Sequence, residues 1–230
     1  MTLSRLFPRT SQALRVVCIT VNDDGYTRMG GLYGDHTSNL VPLSATREHF
    51  VERGINATFF QGIHAARLGL YTELPYQYDT GPESDFKIPP KAVGCWLSHR
   101  ALWAALLLSS HELTLVVEDD AWFPSDWRAR TEKAIRDGGD FDMLFVGSCC
   151  AEDKPRRHVY GDVYEVHWPF CTHAYIIRRR ALKTLIDELD AARCYGPIDI
   201  SLGLHAFPKL DAVYTVLPRI VDQRGIVIPP

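Results

Sequence analysis

The chain has 230 residues, 46% apolar and 23% charged, with a formal net charge of -3. That length supports one sizeable core rather than two ordinary domains, and the balance excludes a disordered chain. Near-neutral charge argues against a nucleic-acid protein, and the longest apolar run, Ala101 to Leu108, is too short to span a bilayer.

Residues 1–13 read as a frayed terminus, and with no tripartite signal pattern the expectation is a cytoplasmic protein. Leu14 to Val21 is a near-continuous apolar run, the pattern of a strand covered on both faces. Residues 22–42 are glycine-rich without periodicity and read as a long loop. Ser44 or Thr46 caps a predicted helix to Arg53, Gly54 is its left-handed terminator, and Ala57 to Phe60 is a short strand. A second long loop, rich in proline and tyrosine, runs from Arg67 to Pro90.

The spacing then predicts a buried helix from about Cys95 to Ser109, apolar on nearly every side, and a strand from Leu113 to Val117. A helix from Ser125, its cap, to Asp137 ends at Gly138-Gly139, and Met143 to Val146 is the next strand. Further strands are predicted at Val163 to Val166, Ala174 to Ile177 and Val213 to Leu217. Between the last two, Leu182, Leu185, Ile186 and Leu189 mark one helical face. Alternating strands and helices imply a single α/β domain over 1–230, with a mainly parallel central sheet flanked by helices.

Six cysteines lack any C-x-x-C spacing. Cys149 and Cys150 with His158, His167 and His173 raise zinc, but ligand pairs at finger spacing are missing, so the cysteines read as reduced, small hydrophobic residues.

The strand at Leu113 runs directly into Glu118-Asp119-Asp120. Strand alternation places Glu118 and Asp120 on one side, where two carboxylates suit a divalent cation, Mg²⁺ or Mn²⁺. The carboxyl end of a strand in an open α/β sheet is also where ligands bind. Ser98 and His99 are expected in the first turn of the buried helix, where free N–H groups favour an anion such as a diphosphate. Asp199, after Pro197-Ile198, opens the last helix as its cap or as a general base. The same acids also suit a metal-dependent phosphotransferase or hydrolase.

Gly94-Cys95-Trp96-Leu97-Ser98-His99-Arg100-Ala101-Leu102-Trp103 and Val117-Glu118-Asp119-Asp120 resemble the G-C-x-x-S-H-x-x-x-W and E-D-D blocks of glycosyltransferase family 25. In the same order, Phe141 to Gly147 is similar to the strand after the E-D-D helix, and Thr172 to Ala181 to the T-x-A-Y-I-I-S-R-x-A block. Pro197-Ile198-Asp199 is similar to P-x-D, and Arg47 with Gly54 to Phe60 to an arginine, helix and strand. The resemblance covers residues 44 to 225. It departs where Asn22-Asp23-Asp24 replaces the family's N-L-D opening, and where Thr172-His173-Ala174 stands in place of a smaller residue.

The resemblance implies a GT-A fold and an inverting transfer of galactose or glucose from a UDP-sugar donor to a hydroxyl of a glycan or protein acceptor. It implies that Glu118 and Asp120 hold Mn²⁺ or Mg²⁺, with Glu118, Asp119, Arg47, Ser98 and His99 toward the nucleotide and Asp199 as base. His205 is a conceivable third ligand, although a packed helix histidine is the commoner case. Trp168, Tyr71, Tyr76 and Tyr78 offer flat surface for sugar rings. A rival reading is a non-catalytic family member that binds a partner.

Overall fold

The computed structural model describes residues 14–21, 26–28, 40–64, 90–149, 157–166, 170–192 and 197–224. Trp168, Tyr71, Tyr76, Tyr78, Cys150, His167 and Cys194 lie outside the described residues. The apolar run after Leu14 forms β1 (Arg15–Thr20). A ribbon of β2 (Tyr26–Arg28) and β3 (Leu40–Pro42) then leads into α1 (Leu43–Glu52). This ribbon corrects the reading of 22–42 as a loop without elements, since strands of three residues are too short to show a period. Gly54 takes φ 64°, a value that L side chains rarely adopt, and turns the chain from α1 into β4 (Ala57–Gln61).

Next come α2 (Pro90–Leu107), β5 (Leu113–Glu118), β6 (Ala121–Trp122), α3 (Trp127–Gly138) and β7 (Met143–Cys149). They are followed by β8 (His158–Tyr160), β9 (Val163–Glu165), β10 (Phe170–Arg178), α4 (Arg179–Ala192) and α5 (Ile198–Ser201). The last helix continues as a π-helical turn, Leu202–Ala206, and a 3-10 turn, Phe207–Lys209, before β11 (Val213–Val216) and β12 (Asp222–Gln223). Two boundaries differ from expectation. Helix α2 begins five residues earlier, because proline is tolerated in a first turn where its missing N–H has no partner to lose. Asp126 rather than Ser125 precedes α3, and it makes no capping hydrogen bond.

Eight strands form the central sheet in the order β4-β1-β5-β10-β7-β11-β9-β8. The pairings give β4, β1, β5, β7, β11 and β8 one direction, with β10 and β9 against them. Alternate residues of each strand enter different cores. Val16, Cys18, Leu115, Val117, Leu144 and Val146 pack with Phe50 of α1 and Trp127 of α3. Val17, Ile19, Val116, Phe145 and Tyr175 pack on the other face with Trp96 and Trp103 of α2 and Leu182, Leu185 and Leu189 of α4. Period-two burial with helices on both faces is the layered sandwich that the hydrophobic pattern implies.

A buried acid fastens the opposite end of the sheet. Asp142 accepts hydrogen bonds from the Asp211 and Ala212 N–H groups at 2.8 and 3.2 Å and from Arg180 Nε at 2.7 Å. The site-bearing end is different: β1 and β5 finish there, β7 brings Cys149, and the antiparallel β10 starts there with Phe170 to Thr172.

Candidate active site at the strand ends

Strand β5 ends at Glu118, so Asp119 and Asp120 form a turn rather than continuing the alternation that would align Glu118 with Asp120. The turn is held from two distant parts of the chain. Thr46 Oγ1 of α1 donates to the Asp119 carbonyl at 2.9 Å, and the Arg224 N–H donates to the Asp120 carbonyl at 2.8 Å. Gln223 Nε2 donates to Asp120 Oδ2 at 2.7 Å, fixing the carboxylate as well as the backbone. Beside the turn, the Trp122 ring stacks on His49 at 3.7 Å, and the Arg224 guanidinium lies 4.6 Å from the Trp122 centroid.

The three carboxylates sit in unequal environments. Burial pushes Asp119 up to about 7, with the Glu118 charge adding to the rise and donations from Thr20 and the Val21 backbone opposing it. Asp120 is raised well above the ordinary carboxylate range by burial and then by Glu118. For Glu118 burial also acts upward, but donations from His99 and Thr172 outweigh it and hold the carboxyl below its usual value. Asp119 Oδ2 and Asp120 Oδ1 are buried without a partner. Two carboxylate oxygens facing no donor, beside an ionised third acid, form a cluster short of positive charge.

His99 reaches Glu118 through a directed chain. Trp103 Nε1 is only a donor and gives its proton to Tyr175 Oη at 2.9 Å, so the tyrosine hydroxyl points at His99 Nδ1, 2.8 Å away. A neutral imidazole then carries its proton on Nε2, aimed at Glu118 Oε1 at 3.2 Å. Thr172 Oγ1 donates to the same oxygen at 2.9 Å. His99 therefore orients Glu118 from the third turn of α2, and the expectation of a first-turn anion site at Ser98 and His99 is corrected, since interior helix N–H groups are spent in the helix. Ser98 is likewise occupied: its hydroxyl donates to the Gly94 carbonyl at 2.6 Å and accepts from the Ile63 N–H at 2.7 Å.

Asp199 lies at the start of α5, where Oδ2 accepts the Cys171 N–H and Oδ1 accepts the Ile200 N–H, each at 2.9 Å. Burial raises it from its ordinary value, those two donations oppose the rise, and Glu118 adds to it. The residue after Cys171 is Thr172, the donor to Glu118, so the base candidate and the acids share one backbone corner. Arg47 is exposed on α1, its guanidinium 4.2 Å from the Phe59 ring centroid and next to Thr46, the clamp on Asp119. His205 lies half-buried in the π-helical turn.

Cys149 and Cys171 are joined as a disulfide between β7 and β10, which corrects the reading of all six cysteines as reduced. Spacing could not reveal the pair, because 22 residues separate the two and only the sheet register brings them together. Thr172 and Tyr175 were visible in a motif, but nothing there gave them a role. Gln223 and Arg224 belong to no motif at all.

The sequence profile described as glycosyltransferase family 25 (LPS biosynthesis protein) matches residues 44–160, half of the chain, including α1, α2 and the acidic turn. The chain belongs to glycosyltransferase family 25. Family relatives include a glycosyltransferase 25 family member of Aedes aegypti, 23% identical over 61% of this chain and 25% of its own length. Another, from Anopheles gambiae, is 26% identical over 66% of this chain and 27% of its own length. A human relative named inactive glycosyltransferase 25 family member 3 is 26% identical over 51% of this chain and 21% of its own length. The chain thus spans about a quarter of the length of the curated relatives it matches. Its backbone is similar to the crystal structure of a glycosyltransferase involved in the glycosylation of the major capsid of PBCV-1, with a TM-score of 0.51 and 10% identity over 93% of this chain and 94% of that one. The family-25 chain therefore carries a GT-A-like α/β fold.

Proposed function

We propose that this family-25 chain is a metal-dependent, inverting hexosyltransferase that moves galactose or glucose from a UDP donor to a hydroxyl of a glycan or protein acceptor. The observation that carries the reading is the pair of unpartnered, buried carboxylate oxygens on Asp119 and Asp120, beside the ionised Glu118 at the carboxyl end of β5. All-oxygen donors fit a hard divalent cation, and burial makes the acids costly to ionise without one. Glu118 and Asp120 would hold Mn²⁺ or Mg²⁺, which when bound supplies charge neutralisation for the departing diphosphate.

The chain's own residues do the rest. Asp119, with its free Oδ2, accepts a hydroxyl of the donor nucleotide, and Arg47 offers positive charge to the nucleotide from α1. His99 and Thr172 fix the rotamer of Glu118. Asp199 is half-buried and burial raises it from its ordinary value, which makes it a stronger base for the acceptor proton. It takes the acceptor proton as the acceptor oxygen bonds to the anomeric carbon and the bond to the diphosphate oxygen breaks. One displacement at that carbon inverts it, and no covalent enzyme intermediate is needed.

The test is UDP release from a panel of UDP-hexoses, with and without Mn²⁺. The expected result is metal-dependent release that Asp199→Asn lowers by about 10² to 10⁴ while UDP binding persists. Near-normal turnover in Asp199→Asn would remove its role as base. The relative named inactive keeps one rival in view, a non-catalytic binding role. That rival gains if the chain binds neither UDP nor Mn²⁺.

A further inference from the structure

Beside the acid cluster, Cys149, Cys171 and His173 bring two sulfurs and a ring nitrogen within 4.8 Å of one another. This group shares no side chain with the acids and goes beyond the transfer reaction. Its ligands are soft or borderline, whereas those at Glu118 and Asp120 are hard oxygens. We propose that, once the Cys149–Cys171 disulfide is reduced, these three side chains form a binding site for a thiophilic divalent cation of the zinc class.

The imidazole is the decisive part. His173 Nε2 lies 3.1 Å from the Val221 carbonyl. A carbonyl only accepts, so Nε2 carries the proton and Nδ1 keeps its lone pair. Nδ1 is buried with no partner, in a residue only 1% exposed. A lone pair left unsatisfied there is costly, and a metal ion is one of the few things that satisfies it. The ring N–H on a backbone carbonyl is also the usual outer contact of a metal-bound histidine, because it fixes the tautomer and the ring plane. Burial lowers the basicity of His173 and so keeps the ring neutral.

The backbone makes room for this ring. A Cβ on Gly147 would lie 2.5 Å from His173 Nε2 and 2.7 Å from the Val221 carbonyl oxygen, so only glycine lets the imidazole cross β7. Cys149 is nearly fully buried and Cys171 half-buried, which leaves the Cys171 side as the entry path. Three protein ligands with an open fourth position is a common zinc arrangement, and Gln223 Oε1 lies 3.6 Å from Cys149 Sγ.

A second candidate cluster, Cys95, His99 and Glu118, is a weaker competitor. Both His99 nitrogens are already engaged, and burial drives the Cys95 thiol upward, away from the thiolate a metal needs.

A water-soluble phosphine gives an electron pair to the disulfide and becomes its oxide with oxygen from water, leaving two thiols. Each thiol then loses a proton as the cation binds.

The experiment uses the full chain, reduced with phosphine under anaerobic conditions and titrated with Co²⁺. Intense thiolate-to-cobalt charge-transfer absorption saturating at one ion per chain, and bleached by Zn²⁺, is the expected result. Carboxylate-bound cobalt lacks that absorption, so the hard site does not imitate it. His173→Ala and the Cys149→Ser, Cys171→Ser pair should lose the bands, and Cys95→Ala should keep them. Should those variants fail to fold, thiol labelling of the reduced wild type with and without Zn²⁺, mapped by mass spectrometry, should show protection of Cys149 and Cys171. Absence of the bands from reduced wild type, protection of other cysteines, or bands that need Cys95 instead would overturn the proposal.

Discussion

Asp119→Asn replaces a buried carboxylate by a neutral group of the same shape, and the structure sets both the size and the pH dependence of the effect. The native carboxyl is pushed up from its ordinary 3.8 to about 7, chiefly by burial. A raised acid binds more protons folded than unfolded between those values, so folding stability falls as pH rises through that window and the full cost is present above it. A gap of about three pH units at about 1.4 kcal/mol each is roughly 4 kcal/mol. Asn keeps a carbonyl but loses one acceptor oxygen, and Thr20 and the Val21 backbone both donate to Asp119. About 1 kcal/mol is therefore returned, leaving a net gain of about 2 to 3 kcal/mol at pH 8. Urea unfolding of metal-free protein in chelator, from pH 5 to pH 8, measures it. Asp119→Asn should gain on the wild type steadily as pH rises, with the two nearly equal near pH 5. Parallel curves, or a gap that widens toward acid, would refute the account of this carboxyl as a buried acid held against its charge.

Asp120→Ala should abolish metal-dependent UDP binding in calorimetry while the fold survives, because only the Gln223 contact to Oδ2 is lost and the Asp120 carbonyl still accepts the Arg224 N–H. Tyr175→Phe strands the buried Trp103 N–H and releases His99 Nδ1, so denaturant unfolding should show a loss of about 1 to 3 kcal/mol. Asp142→Ala removes one acceptor from two backbone N–H groups and Arg180, far from the acids. It should lower thermal stability by about 2 to 4 kcal/mol and leave UDP affinity unchanged.

Much of this was open to a reader of the sequence because it is local. The both-face burial of β1 and β5 follows from unbroken apolar runs, and the amphipathic α4 from leucines at helical spacing. The left-handed Gly54 follows from its place after a helix. Glu118 to Asp120 are adjacent in the chain, so a concentrated acidic site on a strand end needed no folding to be seen. Other features were hidden because they depend on where an element starts or what it meets. The early start of α2 moved Ser98 and His99 from the first turn into the interior, turning a predicted anion site into a hydroxyl clip and a buttress for Glu118.

The sequence by itself determined the chemical inventory and the layered architecture, since residue type and period decide which faces are apolar and which groups carry charge. Only the tertiary structure decided how the three acids differ. Glu118 is ionised because α2 and β10 bring it His99 and Thr172, and Asp120 is clamped because β12 returns to it across more than a hundred residues. The sheet register likewise makes neighbours of Cys149, Cys171 and His173. Desolvation and hydrogen-bond direction belong to surroundings rather than to residues, and surroundings exist only once the chain has packed.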